Sequence, residues 1–162
     1  MKHKYTIEAL RELISVRRDS EQALRTCAAS PASGPLEELC LRSAEECADA
    51  IRELEALIEC LGGEPGTRSA AAGLGRGWAG LRSALACAEY GVILDACERG
   101  ESWILEAYRN TLDDHLPDLV RDVVLRQFEV LMSTHEAIRG CRVQRPLRGA
   151  APAVSSAQAG RQ

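Results

Sequence analysis

The chain has 162 residues, enough for one domain with a sizeable core, and 46% are hydrophobic while only 4% are aromatic, which suits helices better than a β-rich core. Its formal net charge of −4 comes from interspersed acids and bases, with no basic stripe to track a phosphate backbone, so no nucleic-acid partner is expected. No apolar run approaches the ~20 residues that span a bilayer, and "MKHKYTIEALREL" turns acidic and amphipathic too early for a secretory signal. The expectation is a cytoplasmic protein with no membrane partner.

In chain order, the first helix is expected from an N-cap at Thr6 to about Ala29, where "SPASGP" breaks the pattern. The second starts at Pro35, carries Glu37 and Glu38 in its first turn, and stops at "LGG", Leu61 to Gly63. A long connection follows, Gly62 to Gly91. Within it "SAAAGLGRGWAGLRSALACA" has helical character, with Trp78, Leu81 and Leu85 on one side. The third helix is expected over Val92 to Leu112. The fourth enters at Pro117 with Asp118 in its first turn and runs to about Cys141. Residues 1–142 thus form the domain, and 143–162, small, polar and Pro-bearing, is expected to be a disordered tail.

Connection lengths set the topology. Short breaks make antiparallel hairpins of helices one and two and of helices three and four, while the long crossover lets helix three run parallel to helix two. The expected fold is all-α, a ferritin-like four-helix bundle with a long crossover carrying a short helix between helices two and three.

Heptad-like spacing then names the inward stripes. They are Leu10, Ile14, Arg17, Glu21, Leu24 and Ala28 in helix one, and Cys40, Ala44, Cys47, Ile51, Leu54, Ile58 and Leu61 in helix two. Helix three contributes Leu94, Glu98, Glu101, Leu105, Tyr108 and Leu112. Helix four contributes Val120, Val124, Gln127, Leu131, Thr134, Ile138 and Cys141, with Phe128 and His135 on its flank. The polar interruptions all fall mid-helix, so Arg17, Glu21, Glu98, Glu101 and Gln127 are expected in one layer. Buried carboxylates cost several kcal/mol unless paired, protonated or metal-bound.

One explanation of that layer is a salt-bridge and hydrogen-bond network in which Arg17 bridges Glu21 and a helix-three glutamate. The other is a metal site that uses Glu21, Glu98, Glu101 and His135 and takes iron or manganese. A complete di-iron centre is not expected, because the Glu-x-x-His pairs it needs are missing: Met132 stands three residues before His135, and helix two has no histidine. Gly100, costly inside a helix, marks a close approach by a neighbouring helix or a ligand.

The seven cysteines lack CxxC spacing and read as reduced thiols. Cys40 and Cys47 lie on the helix-two stripe, Cys97 borders that of helix three, and Cys60 faces solvent. Inward thiols could bind a soft ion such as Cu(I), or serve as small hydrophobes. No Ser-His-Asp arrangement, phosphate-cradling loop or zinc motif is present, so no catalytic residue is assigned.

"LGGEP", "LGRGWAGLRSAL", "CERGES", "AYRNTL" and "RQFEVLMSTHEAIR" together make the chain resemble the bacterial ferritin-like bundle proteins known as domain of unknown function 2383. The resemblance covers roughly Ile7 to Arg142, with Glu98, Gly100, Glu101, Gln127 and His135 at family-like positions. It implies the ferritin-like fold and carries no established activity. Three functions follow as expectations: a bundle binding metal at a reduced carboxylate site, a structural or interaction protein whose metal-free buried polar layer sets register and whose exposed faces form homo-oligomers, or a thiol-based Cu(I) or redox protein.

Overall fold

The computed structural model describes residues 2–66 and 75–143 and places five α-helices in order: α1 (Lys4–Ala28), α2 (Leu36–Cys60), α3 (Leu81–Cys87), α4 (Tyr90–Leu112) and α5 (Asp118–Val143). Single 3₁₀ turns, Pro31–Ser33 and Arg76–Trp78, precede α2 and α3. No strand occurs among the described residues. The expected tail after Val143, and residues 67–74 of the crossover, lie outside them.

Helix ends follow local chemistry. Helix α1 begins earlier than the Thr6 cap would give, because the Ile7 N–H already bonds to the His3 carbonyl, at 2.9 Å. Pro35 stands at the N-cap of α2, and two acids follow it where the first-turn N–H groups favour negative charge. At the other end Gly62 takes a left-handed φ of 82°, so that the Gly63 N–H folds back onto the Ile58 carbonyl at 2.9 Å. A side chain would resist that φ, which is why the helix stops at a glycine.

Helix α1 packs along α2 and α4 along α5, while α1 also packs on α4 and α2 on α5. Pairings across the core fix the directions. Arg17 reaches Cys47 and Tyr108, whereas Cys27, near the far end of α1, meets Cys40 and Cys97. Both α2 and α4 are therefore antiparallel to α1 and parallel to each other, as the long crossover demands. The inward stripes read from the sequence are buried apart from Glu21, Glu98, Leu61, Leu112 and Cys141, which are half-buried.

The crossover is held by its own aromatic contact. Trp78 is 1% exposed and lies flat on α4 at Gly100, where an added Cβ would stand 2.4 Å from the ring. Its indole N–H donates to the Ser20 hydroxyl on α1 at 3.0 Å, and that hydroxyl donates in turn to the Val16 carbonyl. The arrangement is reciprocal, since a Cβ on Gly77 would meet the Trp103 ring of α4, also at 2.4 Å. Gly100 is thus approached by a 3₁₀ turn of the crossover rather than by one of the four long helices. Trp78, Leu81 and Ala84 form the buried side of the crossover segment, and Leu85 packs at its margin.

Gly100→Ala should lower stability by about 1–3 kcal/mol despite the better helix propensity of alanine, because a rigid indole has to move. Urea unfolding checks this, and most of the loss should disappear when the substitution is made on a Trp78→Leu background.

Candidate metal centre

Three thiols from three helices converge near the end of the bundle where α1 turns into α2. Cys27 comes from the last turn of α1, Cys40 from the second turn of α2, and Cys97 from the second turn of α4. The Cys40 thiol donates to the Cys27 sulfur at 3.6 Å, and the Cys27 and Cys97 sulfurs are 3.7 Å apart. All three sulfurs lie within 4.8 Å of one another, and each residue is 0% exposed. Among the described residues this is the group of three or more metal-ligating side chains with donor atoms that close.

The turn before α2 closes the cluster from above. Ser33 is fully buried, with its hydroxyl donating to the Cys27 carbonyl at 2.5 Å and lying 3.3 Å from the Cys27 sulfur. Within the trio, hydrogen bonds from Cys40 and then Cys97 hold the Cys27 thiol well below its ordinary value, while the same bonds drive Cys40 and Cys97 above theirs. Thiolate sulfur is a soft donor, suited to Cu(I), Zn(II) and similar thiophilic ions. A tetrahedral ion with ~2.3 Å bonds to sulfur would hold its thiolates about 3.8 Å apart, close to the separations here.

A second polar layer lies toward the middle of the bundle. Arg17, 2% exposed, donates from Nε to the Tyr108 hydroxyl at 2.9 Å and from a terminal nitrogen to the Cys47 sulfur at 3.5 Å. Its guanidinium also lies over the Tyr108 ring, 5.0 Å from the centroid. The Tyr108 hydroxyl donates to Gln127 Oε1 at 2.6 Å, and Gln127 Nε2 donates to Glu53 Oε1 at 2.9 Å and to the Ala50 carbonyl. Burial pushes the Cys47 thiol up to about 11, against the pull of Arg17. Cys47 therefore belongs to the arginine layer, and the thiol partners of Cys40 are Cys27 and Cys97.

The carboxylates and the histidine singled out in the sequence take separate places. Glu21 pairs with Arg25 on its own helix, and Glu98 pairs with Arg142 at 3.1 Å, both half-buried. Glu101 is 1% exposed, and its Oε2 has no hydrogen-bond partner. Burial pushes it up to about 7, against the Arg17 guanidinium and aided by the nearby Glu46. His135 is half-buried with Nδ1 inward and unpartnered. Arg17 thus bridges a tyrosine and a cysteine rather than two glutamates.

Cys27 was absent from the sequence-based stripe, which passed through Leu24 and Ala28. Its signal was its place in the last turn before "SPASGP", at the level where α2 and α4 each bring a cysteine to their second turn.

Fold and site together define an all-helical bundle protein with a crossover segment and a thiol cluster able to hold a metal. The chain belongs to the family described as Domain of unknown function (DUF2383), whose model matches residues 5–114. No curated protein matches it. No described helix is long and apolar enough to cross a membrane.

Glu101 makes the fold pH-dependent in a predictable direction. Its ordinary value is 4.5, so between there and about 7 the folded chain keeps a proton that the unfolded chain has lost. Stability from this residue is full below pH 4.5, falls as pH rises through the window, and levels off above about 7. The total is about 3 kcal/mol. Glu101→Gln should remove that slope, and urea unfolding of both proteins at pH 5 and pH 8 measures the difference.

Proposed function

We propose that this protein binds a soft, thiophilic ion in its core through Cys27, Cys40 and Cys97. The observation that carries the reading is the convergence of three fully buried sulfurs within 4.8 Å. A buried cysteine alone is a small hydrophobe, but three on one layer from three helices form a ligand set. All seven cysteines are free, as a thiol ligand set requires, and that suits a reducing compartment such as the cytoplasm. Titration of the reduced protein with Cd(II) as a spectroscopic probe, and with Cu(I), should give one equivalent per chain and a thiolate-to-metal absorption band. Cys40→Ala should abolish the band while Cys47→Ala keeps it. Failure of every thiophilic probe to bind would sink the reading.

A carboxylate site for iron or manganese is the second reading, supported by the unpartnered Oε2 of Glu101 and Nδ1 of His135. On this reading Glu21 and Glu98 leave their arginine partners when metal arrives. Anaerobic Fe(II) titration should then show stoichiometric binding that Glu101→Ala removes. No uptake of Fe(II) or Mn(II) by the wild-type chain would end it.

A further inference from the structure

We infer that the Cys27–Cys40–Cys97 cluster takes a neutral trivalent metalloid of the arsenite class in preference to a charged metal ion. The inference rests on reading the cluster as a thiophilic site and goes on to name its ligand, from charge and from ligand number.

Three thiolates around a monovalent ion leave a net charge of −2, and around a divalent ion −1. Around a trivalent centre the charges cancel. The cluster is sealed in the hydrophobic core, with Leu24, Leu36 and Leu94 in the same cluster of buried side chains. The cation of the core, Arg17, donates to Tyr108 and Cys47 in the other layer. An uncompensated charge in such a place costs several kcal/mol, so the neutral complex is the favoured one.

Ligand number agrees. A tetrahedral divalent ion wants a fourth donor, and no further His, Cys, Asp or Glu among the described residues joins the trio. The Ser33 hydroxyl is engaged with the Cys27 carbonyl. A trivalent arsenic centre carries a lone pair in place of that fourth ligand, so three sulfurs complete it.

The binding step needs no redox partner. Trihydroxyarsenic meets three thiols, three As–O bonds break, three As–S bonds form, and three waters leave while arsenic stays trivalent. The reagent is uncharged at neutral pH, so it passes the cap formed by the Pro31–Ser33 turn without the desolvation cost of an ion.

The test uses the full-length reduced chain with arsenite, Zn(II) and chelator-buffered Cu(I), read by native mass spectrometry and by arsenic X-ray absorption. The expected result is one arsenic per chain with three sulfur neighbours and no oxygen, surviving an equimolar Zn(II) challenge. Changing Cys60, Cys87 and Cys141 together to Ser should leave the adduct intact, and Cys27→Ala, Cys40→Ala or Cys97→Ala should each eliminate it. The absorption spectrum of the wild-type protein decides the matter even where a core variant fails to fold. Arsenic with fewer than three sulfurs, or displaced by Zn(II) or Cu(I), overturns this inference and leaves the thiophilic site standing. If none of the three ions binds, both readings fall.

Discussion

The seating of Trp78 on Gly100 is the contact on which the arrangement of this bundle depends. A chain leaving α2 must travel the length of the molecule before starting α4 in the same direction. The indole fixes that return path to α4 through a glycine and to α1 through the Ser20 hydroxyl. With α2 and α4 parallel, their second turns lie at one level, and Cys40 and Cys97 come to the same end of the core. An up-down-up-down bundle would put those two thiols at opposite ends. The thiol cluster is thus a product of topology as much as of composition.

Much of the fold was open to reading from residue order, because heptad spacing, the proline and glycine stops and the length of the crossover each report a local property. The stripe positions of all four long helices proved inward with few exceptions, and the two charged ones have a common cause. Glu21 and Glu98 sit at the edges of their stripes, and a small rotation lets each meet an arginine in partial solvent instead of entering the core. Glu101 is carried inside, where its Oε2 finds no hydrogen-bond partner. Periodicity assigns a face to a helix but cannot say which of two boundary carboxylates will find a partner outside.

The thiol cluster was harder to see for a related reason. Each helix shows its own cysteines, yet the cluster exists only through the relative register of three helices, which turns and caps determine. Cys40 and Cys47 share a stripe, but two helical turns separate them. The residues that actually meet Cys40 lie 13 and 57 positions away in the chain. Long-range register of this kind has no signature in a single sequence. The close approach at Gly100 did have one, since a mid-helix glycine demands a reason, and the partner turned out to be in the least regular part of the chain.

The hydrogen bonds around Tyr108 have a further consequence. From Arg17 to Tyr108, from Tyr108 to Gln127 and from Gln127 to Glu53, every donor points outward. Glu53 then meets Arg126 at the surface. Such a chain has a sense of direction, with each link polarised by the one before. The positive end is sealed inside and the negative end is within reach of water. The buried guanidinium is therefore joined, through a tyrosine and an amide, to a half-buried carboxylate that the surface guanidinium of Arg126 also holds. Two cations, one inside and one outside, lean on the two ends of a single polar thread.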